Sequence, residues 1–255
     1  MQNAMDYPSV VFLSSLVAMS LSAWIGASLL RKVKALTAES REDFNVVQAA
    51  TLTLLALMIG FSFSMAVGRY DQRKNYEEEE ANAIGTEFVR ADLLPAAQGQ
   101  QVRALLTRYL EQRVLFYKTR DAQELAQINA ATNELQGGLW AAVREAATAQ
   151  PTPIAALAVA GMNDVLNSQG YTQAAWWNRI PIAAWGLMVA IGVCCNLLVG
   201  YGARTARVGL TLLVVLPVVV ATSFALIADI DSPRGGIIRV SPINLISTAQ
   251  SLNPH

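Results

Sequence analysis

Four runs of apolar residues set the plan of this chain, roughly Val10 to Leu30, Val46 to Val67, Ile182 to Tyr201 and Val208 to Ala228. As helices, each is long enough to cross a hydrocarbon layer about 30 Å thick, which takes about 20 residues. The connections between them are uneven. A mixed-charge link at residues 31–45 joins the first pair, and a tight turn from Gly202 to Arg207 joins the last pair. About 110 residues, from Tyr70 to Arg179, separate the second run from the third. The pattern predicts an all-α integral membrane protein with a helical soluble domain inserted between spans two and three. The expected divisions are a transmembrane hairpin at 1–69, the soluble domain at 70–179, a second hairpin at 180–231 and a tail at 232–255.

The central segment changes from continuous greasiness to helical periodicity. Ala, Glu, Gln, Leu and Arg dominate it, all good helix formers. The second span is expected to run on as helix to about Leu94 and stop at Pro95. A helix from about Ala97 to Lys118 presents Val102, Leu105, Leu106, Tyr109, Val114 and Leu115 on one face. A third begins after Asp121, a suitable N-cap, and carries Leu125, Ile128, Leu135, Leu139, Trp140 and Val143 past a weak point at Gly137 and Gly138. Pro151 and Pro153 break the chain before a fourth helix, Ile154 to Asn167, which a turn at Asn167 to Gly170 closes. Trp176, Trp177 and Arg179 stand where interfacial anchors belong.

The second span is less greasy than a purely lipid-facing helix. At 100° per residue, Thr53, Leu57, Gly60, Ser64, Asp71, Asn75, Glu78 and Asn82 fall within about 40° of one line. The line is small or polar within the apolar stretch and acidic beyond it. Two readings fit: an aqueous path, or a small-residue packing face that becomes a solvated face. In the first span Ser15, Ala18, Ser22 and Gly26 make a similar small face, for which close helix packing is the default account. Asn196 in the third span has helix-to-helix hydrogen bonding as its default role, and Pro217 is expected to kink the fourth.

Composition narrows the chemistry. Residues are 53% hydrophobic and the formal charge is zero, so no global field points to nucleic acid or an anionic surface. The only histidine is His255, and the only cysteines, Cys194 and Cys195, are neighbours that point to different sides of a helix. They read as buried apolar thiols, not a metal site. With no Ser/His/Asp set and no ligand cluster, an enzyme is not expected, and neither is a cofactor or a metal. Glu77 to Glu80 with Arg69, Arg73 and Lys74 read as surface pairs on a solvated helix face. Basic residues do not orient the chain, because the short connections and the opposite side carry six each.

Gly60-Phe61, followed eight residues after the Phe by Arg69-Tyr70 and then Asp71-Gln72, resembles the second transmembrane helix of bestrophins. Asp229-x-Asp231-x-Pro233-x-Gly235-Gly236 is more loosely similar to their acidic loop after the last span. The run from Arg69 to Pro95, with Glu79-Glu80-Ala81-Asn82-Ala83-Ile84-Gly85-Thr86 and Arg90-Ala91-Asp92-Leu93-Leu94-Pro95, resembles the bacterial bestrophin-like domain family more closely. The resemblance implies an oligomeric ion channel, a pentamer in bestrophins, in the bacterial inner membrane, with membrane lipid and inorganic ions as its partners. It also implies that both termini and the helical domain are cytoplasmic. Carried over by position, the apolar neck is Thr53, Leu57 and Phe61, where Thr53 departs from the apolar pattern. Gly60 and Ser64 would line the pore beside it, and Asp71, Glu78 and Glu79 would form a charged vestibule. Selectivity stays open, with the acidic helix favouring cations. Asp229 and Asp231 are the marked residues of the post-membrane loop, but two carboxylates fall short of the six to eight oxygens of a Ca²⁺ site. The alternative reading is a non-conducting membrane sensor or assembly scaffold.

Overall fold

The protein is described here from a computed structural model covering residues 6–30, 36–37, 39–203 and 206–252, with side chains in the last span from Leu213 onward. The basic residues Arg31, Lys32, Lys34 and Arg204, the side chain of Arg207, and His255 lie outside the described residues. Eight α-helices are described: α1 (Pro8–Ile25), α2 (Ser40–Arg90), α3 (Ala96–Lys118), α4 (Ala122–Ala149), α5 (Pro153–Trp177), α6 (Ile182–Gly202), α7 (Ala206–Asp231) and α8 (Ile243–Leu252). A π-helical turn, Gly26–Leu30, extends α1, and a 3₁₀ turn, Ala91–Leu93, follows α2 ahead of Pro95. Four helical stretches are long and apolar enough to cross a membrane. This is an all-helical membrane protein.

Two compact units are present. The first holds residues up to Arg69 together with Arg179–Arg239, and the second holds Tyr70–Asn178 together with Val240 onward.

In the first unit, α1 packs along α6 and α7. The small-residue face of α1 packs at three of its four residues: Ser15, Ser22 and Gly26 are buried, while Ala18 is only half-buried, and Ser22 donates to the Val193 carbonyl at 2.7 Å. The contact is tightest at its far end. A Cβ at Gly26 would collide with the Leu197 carbonyl, and one at Gly200 with the Ala23 carbonyl. Such close approach is how helices associate in lipid, where dispersion replaces the hydrophobic effect. Asn196 is buried but does not bond across helices: its amide donates to Gly192 O of its own turn at 2.8 Å. Of the cysteines, Cys195 is buried and reaches the Thr51 carbonyl at 3.3 Å, whereas Cys194 is exposed, because successive residues on a helix face different sides.

In the second unit, α3, α4 and α5 surround a core of Val102, Leu106, Tyr109, Leu139, Val143 and Met162, joined by Ile84 of α2 and Leu245 of α8. Each such fully buried side chain adds roughly 1.5–3 kcal/mol. Asp121 caps α4 as its sequence predicts, accepting from the N–H groups of Gln123 and Glu124 at 2.9 and 2.8 Å. Three expectations fail. Helix α5 runs through Asn167–Gly170 without a turn and ends at Trp177, since Val165, Ser168 and Thr172 continue its buried face. Trp176 is no interfacial anchor but a core residue, its ring 4.9 Å from Phe116 and 5.4 Å from Tyr117. And residues read as tail form α8, whose first turn is capped by a side chain 168 positions earlier: Glu77 accepts from Leu245 N–H at 2.9 Å and from Asn244 at 2.7 Å.

Candidate functional site

Helix α2 has two unlike faces. Leu55, Ser62, Ala66, Arg73, Glu77, Glu80, Ala81, Ile84 and Glu87 are buried against the rest of the chain. Apart from the adjacent pair Glu80 and Ala81, their spacings of three, four and seven keep them on one side of an α-helix. Roughly half a turn away runs the line singled out by its small and polar residues, and it is exposed: Thr53, Leu57, Gly60, Ser64, Asp71, Asn75, Glu78 and Asn82, with Phe61 and Glu79 exposed at its edge. Leu57 is 51% and Phe61 59% accessible, and a Cβ at Gly60 or Gly68 would meet nothing within 4 Å. Thr53 turns its hydroxyl back to the Ala49 carbonyl at 2.9 Å, so it presents mainly its methyl group outward. All of the expected neck, pore-lining and vestibule residues therefore lie on the face of α2 that the described residues leave uncovered.

The buried face holds acidic residues that the sequence reading placed in solvent. Glu80 forms an ion pair with Arg113, both fully buried. Thr172 donates to the second Glu80 oxygen at 3.1 Å, and Tyr117 at 3.4 Å. The Arg113 guanidinium also lies 4.4 Å from the centre of the Phe116 ring. Burial would lower the Arg113 pKa, but the adjoining Glu80 carboxylate outweighs it and the net direction is up. Burial, then the Glu80 charge, push the phenols of Tyr109 and Tyr117 up. Glu87 differs from both neighbours. It is buried, and neither carboxylate oxygen has a hydrogen-bond partner among the described residues. It lies against Gly161 of α5, where a Cβ would collide with it. Burial raises its pKa from 4.5 to about 8, with Arg90 opposing and Asp164 adding to the shift. A wheel drawn through Ile84 and Ala91 instead of the exposed line would have found Glu77, Glu80 and Glu87 together.

The post-membrane loop is built around its two aspartates. Asp229 accepts from the N–H groups of Ile237 and Ile238 at 2.7 and 2.8 Å, closing the loop on itself. Asp231 accepts from Ile180 N–H at 3.2 Å and from Arg179 Nε at 3.2 Å, with Arg69 at 3.7 Å. Arg179 reaches on to Asp6 at 2.6 Å. Guanidinium groups thus take up Asp231, and backbone donors take up both oxygens of Asp229.

The Bestrophin-like domain family matches this sequence over residues 17–245. The chain belongs to that family. Solved structures agree in fold with this bestrophin-like chain. A bacterial bestrophin homologue from Klebsiella pneumoniae superposes with a TM-score of 0.66 at 15% identity, covering 95% of this chain and 96% of that one. A single-substitution variant of the homologue gives 0.65 at 13% identity, covering 94% and 93%. No curated protein matches the sequence.

Proposed function

We propose that this bestrophin-like chain is a subunit of an oligomeric ion channel of the bacterial inner membrane, with α2 lining the conduit. The observation that carries the reading is the uncovered face of α2. A membrane helix facing only lipid has no reason to align Gly60, Ser64 and Gly68 with acidic residues further along the same side. Around a symmetric ring, that face closes on its own copies. The resemblance to bestrophins, which are pentamers, supports five of them.

In this arrangement Leu57 and Phe61 form apolar rings that gate by dewetting, and Thr53 adds a third, less apolar ring. Gly60 and Ser64 keep the wall between the rings narrow in side chain and wide in bore. Repeated around the axis, Asp71, Glu78 and Glu79 form a charged vestibule that concentrates cations. Residues 70–179 are the soluble domain, cytoplasmic together with both termini, and Asp229 and Asp231 brace the loop after the last span. No step calls for a catalytic residue.

Recording from purified protein in planar bilayers under a salt gradient tests the proposal. Phe61→Ala is expected to raise conductance or open probability, and Glu78→Gln to shift the reversal potential away from cation preference. Electrical silence from well-folded oligomers, in wild type and Phe61→Ala alike, would overturn the channel reading in favour of a sensor or scaffold.

A further inference from the structure

The tight crossing of α1 and α6 has a counterpart at its other end. The two helices touch at Gly26 and Gly200 and are still close at Gly192, where a Cβ would stand 2.9 Å from Met19. Toward Pro8 and Ile182 they part. At Gly186 a Cβ would meet nothing within 4 Å. The result is a wedge-shaped cleft of about 470 Å³ between α1 and α6, floored by Phe224 of α7. Trp185 and Phe224 meet edge to face in the floor, their ring centres 6.2 Å apart, and Val10 and Ala18 wall the α1 side.

The lining of the cleft is mostly apolar. Its two hydroxyls are already committed, Ser14 to Val11 O at 3.3 Å and Ser15 to the same carbonyl at 2.6 Å. A buried water needs two to four polar partners. Left empty, the walls lose their dispersion contacts outright. Both walls are helices long and apolar enough to cross a membrane, a setting in which hydrocarbon can reach the open side. The mouth end adjoins polar ground. Val10 and Ile182 follow closely on Asp6 and Arg179, whose ion pair is still partly exposed to a head group.

We propose that this wedge is a binding site for one acyl chain of a membrane phospholipid, held with its head group beside the Asp6–Arg179 pair. The chain fills the gap between α1 and α6 and acts as a packing element of the first unit.

A phosphatidylcholine with a photoreactive diazirine midway along one chain, reconstituted with the full-length protein and mapped by peptide mass spectrometry, tests this. Localised to single residues by fragmentation, label should concentrate on Val10, Ser14, Ala18, Ile182 and Val189 of the cleft, above the outward face of α1 at Leu13, Val17 and Leu21. Gly186→Leu, which fills open space, and Ala18→Phe, which fills the cleft from the opposite wall, should each cut that label several-fold while the elution volume and melting temperature stay unchanged. Label spread evenly over all lipid-facing residues, or indifferent to both fillings, would reduce the cleft to ordinary annular contact and overturn the site. So would a benzophenone residue at position 186 that cross-links to a second copy of the chain instead of to lipid.

Discussion

Removing the charge of Glu87 gives the sharpest test of the second unit. This carboxyl lies about 20 residues past the apolar stretch of α2, beyond the membrane-spanning part, and is sealed against Gly161 with no hydrogen-bond partner for either oxygen among the described residues. Burial holds its pKa at about 8 against an ordinary 4.5. Below about pH 4.5 both the folded and the unfolded chain carry the proton, so the group does not tax folding. Between 4.5 and 8 the unfolded chain releases it while the folded chain keeps it, and stability falls by about 1.4 kcal/mol per pH unit. The whole window is therefore worth on the order of 3–5 kcal/mol, nearly all of it lost by pH 8. Glu87→Gln keeps the shape and removes the titration, at a cost of about 1–3 kcal/mol for an amide left unpaired. Apparent melting of the detergent-solubilised protein at one scan rate should thus drop steeply from pH 5 to pH 8.5 in wild type and much less in Glu87→Gln. The variant should start at or below wild type in acid and overtake it in alkali. Infrared difference spectra should show one protonated carboxyl C=O stretch at pH 7 that the variant lacks. Parallel melting curves, together with no such band, would refute the argument.

The remaining predictions concern single contacts. Arg113→Ala leaves Glu80 charged and buried, so chemical denaturation should show a loss of roughly 3–5 kcal/mol, whereas a paired replacement, Glu80→Met with Arg113→Leu, should recover most of it. Gly200→Ala places a methyl group in the Ala23 carbonyl and should destabilise the first unit by about 1–3 kcal/mol, while Gly186→Ala should leave the melting temperature unchanged. Asp229→Ala removes the acceptor of two backbone donors, each such charge-assisted bond being worth about 1.5–3 kcal/mol, and hydrogen exchange at the Ile237 and Ile238 amides should speed up sharply.

Periodicity made much of this fold legible. Asp121 announced its helix, and the apolar runs announced the spans, because both signals are local and unshared. The line through Thr53, Gly60 and Asp71 was legible for the same reason, since residues of one size and polarity recur at helical spacing on a face that no described residue covers. What escaped the sequence was the opposite face. Glu77, Glu78, Glu79 and Glu80 are chemically identical in the sequence, and only partners 33 to 168 residues away decide that Glu77 and Glu80 are buried and their neighbours are not. Trp176 was misplaced through a rule about membrane interfaces that its packing against Phe116 overrides. Asn167 to Gly170 carries turn-forming residues, yet tertiary burial of Ser168 and Thr172 keeps it helical.

The cap that Glu77 places on α8 has a consequence for biogenesis. Its two partners are separated by 168 residues, and between them the ribosome must deliver α6 and α7 to the membrane. Domains ordinarily fold as units in the order of synthesis, but the second unit cannot follow that order. Until residues 243–252 have been made, Glu77 faces the core position of Leu245 with no backbone donor, and the groove for α8 stands open on α3. Synthesis of α6 and α7 thus precedes the final closure of the unit whose synthesis began before them. A nascent chain stalled between residues 180 and 240 should be protease-sensitive within 70–178, even though every helix of that stretch has already been translated.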